Sequence, residues 1–402
     1  MSDVDWIFVV LLGLYLAESF VWLRPGTVAI GTWFGRFRDP GAPFRLIGND
    51  TGVFILGGLA PWDATFLVEP SPLSISVDGV VAFVPSSPLQ PDRRSGGAAE
   101  FDWRSLISVT VEGRSVVCGD HLMCVTRSPA SARSLASAVV RVAGCSDERR
   151  AAAVSELQAQ AFDVAAVEEL YQRWRSSTRR LRLASSGLFV WLLPFAALIH
   201  YGILPLPWER DATFVWSFLG IGLVWWWWAV VEAFVSHRQV LREDYGGRWK
   251  LFLSSLVSPP VAMRAADRIA RDIPWMIHPA ALFKAIGQQG LLEQHAPAMV
   301  RDLEYPRLPE VMPEHTADAR AIIRSSEANT RESLERLLDS CGVCYQDALR
   351  PPEIEDEAVK SYCPRCLDDY LADDAWCDAC GSRPTLLYPS AADPAKAEAS
   401  AG

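Results

Sequence analysis

The residues best placed to do chemistry in this chain are paired cysteines near its C-terminal end. Cys363 and Cys366 are followed, after ten residues, by Cys377 and Cys380 in the stretch YCPRCLDDYLADDAWCDACG. Each Cys-x-x-Cys turn points two sulfurs at one place, and two such turns build the tetrahedral four-thiolate site that Zn2+ accepts. Gly381 suits the tight turn after the last ligand. Four protein ligands leave no coordination position open, so an ion held this way is structural rather than catalytic. A third pair, Cys341 and Cys344, lies upstream. It can join Cys363 and Cys366 in a different site, replace one turn of the pair, or stay unligated. Six sulfurs exceed one mononuclear zinc site, and an iron–sulfur cluster is the other use for them.

The stretch resembles the small C-terminal zinc ribbons of many bacterial proteins, with all four ligands present. That resemblance implies structural Zn2+ on Cys363, Cys366, Cys377 and Cys380 within a ribbon region at 339–388. The tail at 389–402 is rich in Ala, Pro and charge and is expected to be disordered. Of the nine cysteines, the remaining three, Cys118, Cys124 and Cys145, have no motif spacing and read as small core hydrophobes. Clustered Cys-x-x-Cys pairs suit metal in a reducing compartment better than a secreted disulfide framework.

Other candidate chemistry lies in apolar surroundings. Glu232 and His200 fall inside long apolar runs, beside the helix-breaking Pro194, and an ionisable group placed there can serve a small transporter or a membrane enzyme. Against an enzyme, no nucleophile–base pair or phosphate-binding loop is visible, and His278, His295 and His315 are scattered. Five arginines, Arg173, Arg175, Arg179, Arg180 and Arg182, precede the second apolar run. They can touch anionic lipid headgroups, or only set topology.

Half of the 402 residues are hydrophobic and 16 are Trp, a content that membrane interfaces use. The net charge of −10 argues against wholesale nucleic-acid binding. Runs at 4–23, 187–206 and 212–235 are each long enough for a helix to cross roughly 30 Å of hydrocarbon. Three transmembrane helices are therefore expected. Cations flank the second and third runs and follow the first, which places the N-terminus outside and both large intervening and C-terminal regions in the cytoplasm. The expected location is the inner membrane, multi-pass.

Residues 24–145 read as β-rich. Short apolar runs at 27–34, 52–56, 73–77 and 80–84 are punctuated by Gly, Pro and Asp, with Asp78-Gly79 a tight-turn signal. A helix follows, with Ser128 as its cap and Pro129 in its first position. The stretch FDWRSLISVTVEGRSVVCGDHLMCVTRSPASARSLASAVVRV resembles the last strands and closing helix of bacterial PH-like domains, which implies a barrel fold and no chemistry. RPGTVAIGTWFGRF, after an apolar helix, is similar to the entry of band 7 domains and would imply a membrane scaffold. A first β-hairpin explains it equally.

Residues 146–186 read as a helical linker, with Ser146 and Asp163 as candidate caps, ending in the basic cluster, and 236–338 as a helical and amphipathic region. Within the latter, Arg264, Arg268 and Arg271 alternate with Met263, Ile269 and Ile273. Such a helix lies on a leaflet or packs on the rest of the protein. The whole is an α+β membrane protein: three spans, a PH-like β unit, a helical linker and a zinc ribbon. Its expected role is an interaction or regulatory scaffold that contacts membrane lipids and a protein partner.

Overall fold

The computed structural model describes residues 3–20, 27–31, 63–67, 73–83, 98–126, 128–195, 212–242, 244–287, 289–305, 317–353, 358–373, 375–380 and 383–388. The chain is mostly helical, with small antiparallel sheets. Helix α1 (Asp3–Phe20) precedes β1 (Thr27–Gly31), which pairs with β2 (Asp63–Leu67) in a register from Thr27↔Leu67 to Gly31↔Asp63. Two three-stranded meanders follow. The first joins β3 (Leu73–Ile75), β4 (Val80–Phe83) and β5 (Ala98–Phe101); the second joins β6 (Val109–Glu112), β7 (Ser115–Cys118) and β8 (His121–Val125).

Local chemistry explains the turns. At Asp78-Gly79, the Ser76 hydroxyl accepts the Asp78 N–H at 3.1 Å, and the Ser76 N–H reaches the Gly79 carbonyl at 3.0 Å. A side chain at Gly79 would meet the Phe101 carbonyl at 2.9 Å, so the close approach of β5 demands glycine. Between β6 and β7, Gly113 takes φ +62. Helix α2 (Pro129–Ala143) starts where Ser128 accepts the Ser131 N–H at 3.0 Å, with Pro129 in the first turn. Its face of Ala132, Leu135, Ala136, Val139 and Val142 is buried with Val80, Trp103, Leu106, Val116 and Met123. The indole of Trp103 satisfies its N–H on the Ser76 carbonyl at 3.1 Å.

Beyond this unit the chain is helical: α3 (Asp147–Gln160), α4 (Val164–Ser177), α5 (Arg179–Val190), α6 (Ala212–Val240), α7 (Tyr245–Val257), α8 (Pro259–Met263), α9 (Ala265–Asp272), α10 (Pro279–Ala285), α11 (Gln289–Glu304) and α12 (Ala317–Asp339). Their shared core gathers Trp174, Leu181, Ile269, Trp275, Phe283 and Leu334. Both buried indoles find backbone carbonyls, Trp174 on Ala266 at 3.4 Å and Trp275 on Ala270 at 2.7 Å. Helix α12 returns to the β unit, where Ala319, Ile322 and Ile323 pack on Val81. It also dresses the edge of β3. The Ser326 hydroxyl accepts the Ile75 N–H at 3.3 Å, while Gln158 donates to the Ile75 carbonyl at 2.8 Å and is itself held by Asn329.

The expectation of three transmembrane helices is overturned: among the described residues, no helix is long and apolar enough to cross a membrane. Each run carries polar, charged or helix-breaking residues. Helix α1 carries Asp3, Asp5 and Glu18. Helix α5 begins with arginines, and its regular winding gives way after Val190 to a wider turn over Trp191–Phe195, which contains Pro194; residues 196–211 lie outside the described part. Helix α6 carries four consecutive Trp and Glu232 and ends in His237 and Arg238. The multi-pass inner-membrane placement, with its outside N-terminus and cytoplasmic C-terminal region, rested on those spans and is overturned with them. Residues 32–62, His200 and the 389–402 tail also lie outside the described part.

What the polar groups of these helices do is visible in their partners. Glu18 meets Arg268 through two hydrogen bonds of 2.6 and 2.8 Å. One turn earlier, Arg264 and Asp267 form an ion pair at 3.0 Å, both fully or almost fully buried. Met263, Ile269 and Ile273 are in the core, so α9 is a packed helix and not one lying on a leaflet.

A titration follows from α10. The His278 ring stacks on Phe162 with centroids 4.8 Å apart, and its Nδ1 caps the helix by accepting the Ala280 N–H at 3.3 Å. Burial pushes its pKa down to about 4, against about 6.5 for a free imidazole. Between those values the unfolded chain binds the proton and the folded chain does not. The stability of the fold is therefore undiminished above about pH 6.5 and falls as the pH drops toward 4. Urea denaturation at pH 7 and pH 4.5 should show this loss. In His278→Asn, which keeps a capping acceptor without a titrating ring, the loss across the same interval should be smaller.

Candidate metal centre

Among the described residues, the ribbon is built from five two-residue strands. The strands are β9 (Ser361–Tyr362), β10 (Asp369–Tyr370), β11 (Trp376–Cys377), β12 (Arg383–Pro384) and β13 (Leu386–Leu387). β9 lies between β10 and β13, and β11 pairs with β12. So few residues bury little apolar surface, and the ribbon needs another source of stability. In the first turn, the Cys363 N–H donates to the Asp368 carbonyl and the Leu367 N–H to the Cys363 carbonyl, both at 2.9 Å. Leu367 sits at φ +66, a conformation that favours glycine and is strained for a branched side chain. The second turn places Cys377 at the end of β11 and Cys380 in a short 3-10 helix.

These turns bring the four sulfurs of Cys363, Cys366, Cys377 and Cys380 within 4.8 Å of one another. The Cys366 and Cys377 sulfurs are 3.5 Å apart. A tetrahedral ion with Zn–S bonds of about 2.3 Å spaces its sulfurs roughly 3.8 Å apart, so the cluster is already close to a coordinating geometry. Cys363, Cys377 and Cys380 are buried and Cys366 is exposed. Burial pushes the Cys380 thiol up to about 11, and that of Cys366 higher. Burial acts on Cys377 in the same sense, but hydrogen bonds from the Tyr370 hydroxyl and from Cys366 leave that thiol below its ordinary value. Four gathered sulfurs cannot all ionise without a compensating cation, and a divalent ion supplies that charge.

The ribbon is fastened to the helices by charge. Arg365 forks onto Asp302 at 3.0 and 2.8 Å, and Arg301 donates to the Arg365 carbonyl at 3.2 Å. Arg383 lies over the Tyr305 ring at 5.5 Å. None of these partners was found in the sequence, because nothing about an Asp-Arg pair separated by about sixty residues marks it as a contact.

The third pair is elsewhere. Cys341 and Cys344 follow the end of α12, and neither belongs to the group of four. Cys341 packs against the helical core, and its carbonyl accepts from Gln289 at 2.7 Å. Cys118 and Cys124 are buried in the β unit, while Cys145 is half-buried with its thiol on the Arg141 carbonyl. Glu232 accepts from the Trp228 indole at 3.3 Å on the same helix. The basic cluster divides. Arg173 pairs with Glu169 at 2.6 Å, and Arg182 lies over Trp174 at 5.3 Å, whereas Arg175, Arg179 and Arg180 are exposed. No protein-family model, curated protein or solved structure matches the chain.

The ligand set can be read with Co2+, whose thiolate complexes show charge-transfer absorption. Reduced full-length chain should give that band, and Cys363→Ser or Cys380→Ser should abolish it. Cys341→Ser and Cys344→Ser should retain it at full intensity.

Proposed function

We propose that the chain is an interaction scaffold. Its C-terminal ribbon is locked by structural Zn2+ on Cys363, Cys366, Cys377 and Cys380, and its exposed apolar face docks on an anionic lipid surface without crossing it. The observation that carries this reading is the face itself. Helix α6 exposes Val224, Trp227, Val231 and Val235 at helical spacing, and α7, packed beside it, exposes Trp249, Leu253 and Val257. Val224 is 68% exposed and Val257 81%. Phe234, Trp249 and Phe252 stack edge to face between the two helices, so the face is rigid where they meet. An apolar surface this continuous marks an interaction site.

Charge complementarity favours lipid as the occupant. The stripe on α6 ends at the exposed Arg238, and Arg242 and Lys250 are exposed close by in sequence. The Ser236 hydroxyl donates to the Ser177 carbonyl at 2.9 Å, which brings the α4–α5 junction, with Arg175, Arg179 and Arg180, to the same end. Apolar side chains rimmed by cations suit a bilayer surface carrying anionic headgroups, each cation contributing about 1 kcal/mol. The closed four-thiolate site supports a structural ion rather than a reacting one. The resemblance of the strands and α2 to PH-like domains accords with a scaffold and adds no chemistry.

Co-sedimentation of the full chain with vesicles tests the docking. Binding to vesicles containing phosphatidylserine should exceed binding to pure phosphatidylcholine and should fall with salt. Replacing Arg175, Arg179 and Arg180 together by Gln should reduce the anionic preference several-fold. Val224→Ser with Val231→Ser should weaken binding to both vesicle types. Arg182 is excluded from the set because its stacking on Trp174 makes it structural. Binding that ignores both sets of changes would sink the proposal.

A further inference from the structure

A second cluster of ligand-type side chains lies outside the ribbon, where three helix ends converge. His237 is in the last turn of α6, Asp244 caps α7, and Asp272 is the last residue of α9. One ligand atom from each of the three falls within 4.8 Å of the other two. We propose that His237, Asp244 and Asp272 bind a divalent metal ion that takes mixed nitrogen and oxygen ligands, with Zn2+ the tightest physiological fit.

The imidazole carries the argument. His237 is completely buried, and neither of its ring nitrogens has a hydrogen-bond partner among the described residues. A buried polar atom left without a partner costs about 1–3 kcal/mol, so such atoms are rare unless something absent satisfies them. Its Nε2 is 3.8 Å from Asp244 Oδ2, too far for a hydrogen bond. It is nonetheless near the separation of two ligands on one ion, roughly 3.4 Å for tetrahedral bonds of about 2.1 Å.

Asp244 divides its two oxygens between separate tasks. Oδ1 accepts the Gly247 N–H at 3.1 Å and caps α7, which fixes the carboxylate and leaves Oδ2 turned toward His237. Cations stand beside both carboxylates: Arg133 is 3.9 Å from Asp244, and Arg271 is 3.7 Å from Asp272. Two carboxylates and a neutral imidazole offset a divalent charge in sum, a neutral assembly that can be buried cheaply. Imidazole with carboxylate selects Zn2+, Fe2+ or Mn2+ over ions that prefer thiolate, and Zn2+ binds most tightly of these.

Three protein ligands leave at least one position open. Asp244 stands on the wall of a cleft of about 650 Å3 that is also lined by Arg133, Arg173 and Arg242. Water or a small anion can therefore reach the ion, and the arginines favour the anion. The site thus differs in kind from the closed four-thiolate ribbon.

Equilibrium dialysis of the full chain against Zn2+, with bound metal counted by elemental analysis, tests this. Asp244→Asn keeps a capping side chain, and Asp272→Asn keeps its shape; each should hold one zinc fewer than the parent chain. Cys363→Ser should lose the ribbon ion and retain this one, so the two sites fail independently. Co2+ bound to Cys363→Ser should show d–d bands without thiolate charge transfer. Carboxamide variants that bind as much zinc as the parent chain would overturn the proposal. So would thiolate charge transfer from the ion that remains in Cys363→Ser, since it would assign that ion to other cysteines.

Discussion

The helical body depends on charge that has been taken out of water and paired. Arg264 and Asp267 are sealed inside it, and Arg268 reaches out from the next turn to clasp Glu18. Burial makes such pairs obligatory rather than strongly stabilising. Removing one partner strands the other, at about 3–5 kcal/mol, although an apolar replacement of both can be neutral. Position follows from that obligation. Helix α9 can lie only where Arg268 meets α1 and where its apolar side, Ile269 with Ala270, meets the core. Around it, Trp174 and Trp275 are oriented by hydrogen bonds to backbone carbonyls of the same helix. The α4–α5 corner and the segment before α10 are fixed by those contacts.

Elements governed by short-range chemistry were legible in the sequence. The Asp78-Gly79 turn, the Ser128 cap with Pro129, and the Asp163 cap of α4 all stand where residue type placed them. So do the four ribbon sulfurs, because a Cys-x-x-Cys turn carries its geometry in its spacing. Ser146, expected to cap α3, makes no side-chain cap bond. The apolar runs misled. Hydropathy reports that a segment avoids water, and does not say whether lipid or protein provides the shelter. In α6, Ala229, Val230 and Ala233 are sheltered by protein while Val224 and Trp227 on the other side are not. Nothing in the sequence marks the partner of Glu18, because Arg268 lies 250 residues away.

The two ligand clusters differed in legibility for the same reason. The ribbon sulfurs lie within one short stretch. His237, Asp244 and Asp272 come from three helices, and their meeting depends on how α6, α7 and α9 converge. One hint was local, since an aspartate before Tyr-Gly-Gly is a natural helix cap, but a cap has no need of a histidine seven residues upstream. Ribbon and body are likewise joined by contacts invisible to pattern, Arg365 with Asp302 and Arg383 with Tyr305. A change in the ribbon is thereby felt at α11.

Helix α12 has a consequence for how the chain is made. The outer face of β4 is covered by Ala319, Ile322 and Ile323, and the edge of β3 is satisfied by Ser326. During synthesis Val81 leaves the ribosome roughly 240 residues before Ile323, an interval of about 10–50 s at ordinary elongation rates. Throughout it the first meander has a bare apolar face and an open strand edge, the two features most prone to pair with another nascent chain. The protein should therefore lean on chaperones early, and the speed of translation across the helical middle should set how much of it matures.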